Sequence, residues 1–355
     1  MEIDDDVVVT RAEITDAAEA TFADSTVIPD RYARPDEVGD GVVVGGDDES
    51  HELPLVDMAR LLDSESSEAE TAKLGSACRH WGFFQLTNHG VDESVVQGMK
   101  DSAMQFFRLP LEKKNALAVH AGSLGGFGHH FTGSSRKLDW AESLILATQQ
   151  NGQTSMNLWP ADPPTFGDAL EKYSLEMSGL TRRLLGFMAS DLGVEREALD
   201  GAFRGKTQSV AMHHYPPCRH PDKVIGITPH HDGLGLALLL HVDDTPGLQV
   251  KRDGRWFPLD PLPGALVVNV GDILQVLTNG EYRSAEHRVL VDAERGRATV
   301  VMFQDASVAG TVKPLPGLGE ARYREIEYGE YVKGNFRGLA EGTRFVDSLQ
   351  TNRFC

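Results

Sequence analysis

The chain has 355 residues, 41% hydrophobic and 25% charged, an ordinary composition for a globular protein with room for a sizeable core. No run of about 18 apolar residues occurs, so no membrane span is expected. The net charge of -19 is concentrated at one end: residues 1–70 hold 21 Asp or Glu against 4 Arg and no Lys, a local charge of -17. That acidic flank argues against nucleic acid or membrane lipid as partners.

The start, MEIDDDVVVT, is acidic where a targeting peptide would be basic, so a cytoplasmic location is expected. Cys78, Cys218 and Cys355 are odd in number and show no CxxC spacing, and they read as free thiols. Residues 1–50 read as an acidic, partly disordered extension with an anchor-like patch, VIPDRYARP, at Val27–Pro35.

A helical region is expected over residues 51–200. LPLVD at Leu53–Asp57 alternates as a short strand does. Glu68–Gly82 carries Leu74, Ala77, Cys78 and Trp81 at the i, i+3, i+4, i+7 spacing of an amphipathic helix, and Gly82 stops it. GFFQLTNHG reads as a strand and turn. Asp92–Arg108 is a second helix, with Val95, Met99, Ala103 and Phe106 on one face and Pro110 beyond its end.

The glycine-rich segment Ala121–Gly133 reads as a mobile loop or irregular strand. Apolar order resumes with LDWAESLIL at Leu138–Leu146. From Asp168 to Leu192, positions Leu170, Tyr173, Met177, Leu180, Leu184 and Met188 repeat at helical spacing, which predicts a long spine helix.

After about residue 208 the pattern changes to nine short apolar runs divided by Pro and Gly: SVAMHHY, KVIGITPHHD, LALLLHV, GLQV, RWFPL, ALVVNVG, LQVLTNG, HRVLV and RATVVMF. This predicts a closed or double-sheeted antiparallel structure over residues 205–308. Tyr323–Phe336 suggests a helix within the C-terminal segment 309–355.

Within the strand region, His230 and Asp232 stand at i and i+2, which in a strand share a face while His231 points away. His287 follows Asp232 after 54 intervening residues, on a run far enough along to return beside it. Two histidines and one carboxylate on one face of an octahedron leave open positions for dioxygen chemistry at iron. Zinc hydrolases also use two His and an acid, but no HExxH is present. The chain has 13 histidines, five of them within residues 213–231, so an HxD triplet alone is weak.

Other motifs carry more. HHYPPC at His213–Cys218 resembles the NYYPPC element of plant-type 2-oxoglutarate- and Fe(II)-dependent dioxygenases, a family within the isopenicillin N synthase-like superfamily. PHHDGLGLALLL resembles their PHxDxG strand. GLQVKRDGRWFPLDPLPGALVVNVGDILQVLTNGEYRSAEHRV follows their core, and RAT at Arg297–Thr299 looks like their RxS. ACRHWGFFQLTNHGV, LPLVD and KLDWAE resemble the family's N-terminal region, so the likeness spans roughly residues 27–345.

The resemblance implies an α+β, mainly β fold: a double-stranded β-helix, or jelly-roll, core with an N-terminal helical domain and a C-terminal helix. It implies iron at His230, Asp232 and His287, and 2-oxoglutarate held by Arg297 with help from Thr299 and Tyr215. A guanidinium suits this, because its fork meets a carboxylate with two parallel bonds. Two departures stand out: His213 replaces the family's Asn, and Thr299 replaces its Ser. The implied reaction decarboxylates 2-oxoglutarate to succinate and hydroxylates, desaturates or O-demethylates a substrate, with ascorbate supportive.

Phe303 matches a family position that lines the substrate pocket, and the lid segment Gly126–Phe131 brings Phe127 with it. Aromatic walls suit a small, largely apolar specialised metabolite or hormone, such as a phenylpropanoid, alkaloid, indole or terpenoid. Asp305 is expected at the surface, or else accepting a substrate hydroxyl. Two other readings stay open: a same-fold iron oxidase or non-oxidative enzyme that does not use 2-oxoglutarate, which His213 leaves possible, and a degenerate ligand-binding protein. A monomer is expected.

Overall fold

A computed structural model describes residues 22, 24, 26–39, 53–118, 125–129, 137–150, 153–154 and 159–351. Strand β1 (Leu55–Asp57) runs into a short helix whose first N–H groups, on Ala59 and Arg60, are capped by the Asp57 carboxylate. The helix Ser67–His80 follows, burying Leu74, Ala77 and Cys78, and returns the chain to β2 (Phe83–Thr87), parallel to β1. Asp92 accepts from the Ser94 N–H and starts the helix Glu93–Phe107. Strands β3 (Gly126–Gly128), β4 (Glu142–Gln150) and β5 (Gln153–Thr154) come next.

The spine helix Phe166–Leu192 buries all six of the predicted stripe residues and ends at Gly193 in the left-handed conformation. Beyond it lie β6 (Gln208–Tyr215), β7 (Ile227–His230), β8 (Leu236–His241), β9 (Leu248–Arg252), β10 (Arg255–Pro258), β11 (Leu266–Val270), β12 (His287–Val289) and β13 (Arg297–Gln304). Strands β14 (Thr311–Val312) and β15 (Ile326–Glu327) form a separate pair before the helix Tyr328–Glu341.

Two sheets face each other. The larger has the order β1-β2-β11-β8-β13-β6-β4-β3, with β5 on β4; the smaller is β10-β9-β12-β7. Side-chain alternation divides the larger sheet cleanly. Met212, Leu238, Leu240, Leu266, Val268, Val300 and Met302 turn outward to pack with the spine helix, while Tyr215 and Val267 turn inward toward Val250 and Val289 of the smaller sheet. This is the jelly-roll expected from the sequence, extended by strands from the N-terminal region.

Local expectations are corrected in three places. LQVLTNG is not a strand: Asp272–Leu277 is a helix with Ile273, Leu274, Val276 and Leu277 all buried, and a short apolar run has no period that separates the two. The C-terminal helix starts at Tyr328, five residues later than expected, where the Glu327 side chain caps the Glu330 N–H. Strand β7 stops at His230, so Asp232 lies just past it.

Of the glycine-rich segment, Gly126–Gly128 pairs with β4 and the rest falls largely outside the described residues. Most of residues 1–50 and Cys355 lie outside them too. Cys78 and Cys218 are both buried. Among the described residues no helix is long and apolar enough to cross a membrane.

Candidate active site

Antiparallel pairing of β12 with β7 sets His287 directly opposite His230, with ring centroids 4.1 Å apart. Asp232 reaches them from the bend after β7. That bend is fixed by backbone: the Asp232 carbonyl accepts from Asp272 N–H at 2.7 Å, and Leu234 lies so close to Gly271 that a Cβ there would meet its carbonyl oxygen at 2.0 Å. Glycine is therefore required at 271.

One oxygen of Asp232, Oδ1, lies 3.6 Å from His230 Nε2 and 3.8 Å from His287 Nε2. The other, Oδ2, accepts from the Asn269 amide at 2.7 Å. The histidines are oriented from behind. His230 Nδ1–H donates to the Thr228 carbonyl at 2.8 Å, and His287 Nδ1–H to the Ala285 carbonyl at 3.2 Å. This tautomer leaves both Nε2 lone pairs aimed at the space beside Asp232 Oδ1.

The donor atoms of these three residues lie within 4.8 Å of one another, two nitrogens and one carboxylate oxygen. Burial opposes charge on Asp232, but His287, His230 and the Asn269 amide outweigh it and hold the carboxyl well below its usual range. Burial and the neighbouring His230 push His287 down to about 4. His231 is outside this group; its ring faces the Ser284 hydroxyl at 3.4 Å, and burial followed by Arg344 lowers it to about 2.

A second polar set lies on the inner face of the larger sheet. Arg297 on β13 pairs with Tyr215 on β6, and its guanidinium carbon is 5.1 Å from the Tyr215 ring centre. Arg297 is 2% exposed, yet Nε, Nη1 and Nη2 make no hydrogen bond among the described residues. Burial presses its pKa down. Thr299, two residues on and on the same face, also leaves its hydroxyl unpartnered. Only the Tyr215 hydroxyl and the more distant charge of Asp243 answer this buried cation among the described residues, so the arrangement suits an anion supplied from outside the chain.

His213 stands opposite Thr299 on the same face, its Nδ1 2.8 Å from the Ser143 hydroxyl. Phe303 continues the inward row of β13 and is half-buried. Phe127 is elsewhere: it is fully buried against Phe106 in the helical core, so its ring is packing, not lid. Asp305 is not at the surface. It is buried, its carboxylate accepting from the Tyr328 hydroxyl and from its neighbour's N–H at Ala306.

Sequence reasoning missed Asn269, Ser143 and His241. Asn269 and His241 are polar residues inside the otherwise apolar runs ALVVNVG and LALLLHV, which was the available signal; Ser143, beside Glu142 in ESLIL, had none.

A profile described as the non-haem dioxygenase in morphine synthesis N-terminal region matches residues 53–162, and that of the 2OG-Fe(II) oxygenase superfamily matches residues 206–306. The chain belongs to the 2OG-Fe(II) oxygenase superfamily. It is 40% identical to Protein SRG1 of Arabidopsis thaliana, over 92% of each chain. It is 38% identical to oxoglutarate-dependent flavonoid 7-O-demethylase 1 of Ocimum basilicum, over 84% of this chain and 82% of that one. Among solved structures it resembles JOX2 in complex with 2OG, Fe and JA, with a TM-score of 0.80 and 27% identity, over 94% of this chain and 97% of that one.

Membership makes the protein a 2-oxoglutarate-dependent dioxygenase that uses Fe(II), dioxygen and a small-molecule substrate. The residues present fit both groups. Two imidazole nitrogens and a carboxylate oxygen suit a ferrous ion, and an unpartnered buried guanidinium beside a hydroxyl suits the carboxylate of a 2-oxoacid.

Proposed function

We propose that His230, Asp232 and His287 hold the iron, and that Arg297, Thr299, Tyr215 and His213 bind 2-oxoglutarate. The observation that carries this is the Arg297 guanidinium, buried with all three nitrogens unpartnered. Its place opposite Tyr215 and beside the Thr299 hydroxyl suits the carboxylate of 2-oxoglutarate. Bound iron, with 2-oxoglutarate and dioxygen, supplies the oxidising power to remove hydrogen from a substrate C–H bond.

The chain does the positioning. Arg297 neutralises the cosubstrate carboxylate and fixes its direction. Carbonyls of Thr228 and Ala285, with the Asn269 amide, aim the metal ligands.

The substrate we propose is a small, largely apolar specialised metabolite or hormone, hydroxylated, desaturated or O-demethylated. Two observations support it: a relative named as a flavonoid 7-O-demethylase and a structural neighbour holding JA. Phe303 is the candidate wall. Phe127 and Asp305 are left out, for the packing reasons given above.

We take residues 51–200 and 205–308 as one folding unit, because β1 to β4 pair into the same sheet as β6, β8, β11 and β13, with residues 1–50 and 309–355 as flanking segments. A cytoplasmic monomer, without nucleic acid or membrane partners and supported by ascorbate, completes the reading. The test incubates protein, Fe(II), ascorbate and 2-oxoglutarate with plant extracts, scanning for masses that gain one oxygen or lose two hydrogens or a methylene. Products formed equally without 2-oxoglutarate contradict the reading.

A further inference from the structure

A row of polar side chains crosses four adjacent strands of the larger sheet on its inner face. Register aligns Ser143 on β4 with His213 on β6, His213 with Thr299 on β13, and Thr299 with His241 on β8. The flanking residues Met212, Val300 and Leu240 all turn outward into the helical core, so alternation puts the four polar residues on the face that carries Arg297.

The row is half satisfied. Ser143 and His213 meet at 2.8 Å, but Thr299 Oγ1 and both ring nitrogens of His241 make no hydrogen bond among the described residues. His241 is only 6% exposed. A buried imidazole with two unpaired nitrogens is destabilising, and such a group persists where a bound ligand completes it.

We infer that His241 is a further binding residue for 2-oxoglutarate, donating a ring N–H to the carboxylate that Arg297 holds. The inference rests on the assignment of Arg297 proposed above. Burial, then the cations Arg297 and Lys100, press His241 down to about 3, so the ring is neutral and has one donor and one acceptor. Directly paired residues on one sheet face have Cβ atoms about 4.5–5.5 Å apart. Thr299 and His241 thus border the same space without bonding to each other, so the hydroxyl and the ring N–H are both open to the ligand. A neutral donor beside a guanidinium adds direction without adding charge.

The test titrates Fe(II)-loaded protein with 2-oxoglutarate under nitrogen by calorimetry, so that binding is read without turnover. It compares wild type with His241→Leu, His241→Gln and Arg297→Ala, and records the melting temperature of each without cosubstrate. His241→Leu is expected to weaken binding about ten-fold or more, the scale of a hydrogen bond to a charged group. His241→Gln keeps a donor and is expected within about three-fold of wild type. Without cosubstrate, His241→Leu should melt at or above the wild-type temperature, because it removes two unpaired polar atoms.

Wild-type affinity in His241→Leu, with binding lost in Arg297→Ala, overturns the role of His241 and leaves the Arg297 assignment standing. Full binding in Arg297→Ala overturns both. A His241→Leu protein that is less stable without cosubstrate marks the side chain as structural and also overturns the inference.

Discussion

The Arg34 guanidinium lies 3.0 Å from the Asp139 carboxylate, with both side chains buried. Asp139 accepts from the Thr228 hydroxyl at 2.6 Å, Arg34 donates to that same hydroxyl, and the Thr228 carbonyl takes the Nδ1–H of His230. A residue of the N-terminal segment is thus two contacts from His230, a proposed metal ligand. Arg34→Ala strands a buried carboxylate and is expected to cost about 3–5 kcal/mol. Thermal unfolding checks this, and Asp139→Asn added to Arg34→Ala should restore part of the loss. A melting temperature unchanged by Arg34→Ala would show that the pair does not bear on stability.

Asn269 occupies one oxygen of Asp232 and leaves the other facing His230 and His287, where we propose the ion. Asn269→Ala should weaken Fe(II) binding about 10- to 100-fold, the usual scale for a partner behind a metal ligand. Asp232→Ala should abolish it, and His231→Ala should largely spare it. Equilibrium titration with Fe(II) under nitrogen separates the three. Loss of iron in His231→Ala would place the ligand set one residue away from where the geometry puts it.

How much of this site could be read from sequence depended on distance along the chain. His230 and Asp232 were legible because they are two residues apart, although the strand that suggested their pairing ends at His230. His287 needed the resemblance, since only sheet register brings it opposite His230. The pairing of Arg34 with Asp139 was not legible: Arg34 lies in the anchor-like patch and Asp139 in KLDWAE, but they are 105 positions apart and nothing local marks either as the other's partner. Asp305 was misplaced because its burial comes from the helix that follows, through Tyr328. LQVLTNG was misassigned because a fully buried helical turn and a buried strand have the same apolar composition.

Asp305 also gives the fold a pH dependence. Burial lifts its carboxyl to about 7 against the pull of the Ala306 N–H and Lys206, with the Tyr328 hydroxyl bonded to it and Tyr331 nearby. The folded state therefore keeps a proton that the unfolded chain releases near pH 4. The stabilisation is complete below about pH 4 and is lost as pH rises through about 7. Asp305→Asn, neutral at every pH, should flatten this slope, so that the melting temperatures at pH 5 and pH 8 differ less than in wild type. An equal difference in both proteins would show that Asp305 titrates outside that window.

Arg297→Ala separates the two binding events. It should raise the 2-oxoglutarate concentration needed for half-maximal rate by about ten-fold or more while changing the substrate requirement little, since the lost bonds are to a charged cosubstrate. Steady-state kinetics with each varied in turn reads both. Parallel shifts would move Arg297 out of the cosubstrate site.

The central claim is that iron held by His230, Asp232 and His287 works with 2-oxoglutarate held by Arg297. The most direct measurement follows succinate released from isotopically labelled 2-oxoglutarate while the protein acts on a panel of apolar plant metabolites. Succinate and oxidised product should appear together only when Fe(II), 2-oxoglutarate and oxygen are all present, and neither should form with Asp232→Ala. Product formation undiminished when 2-oxoglutarate is omitted would contradict the account.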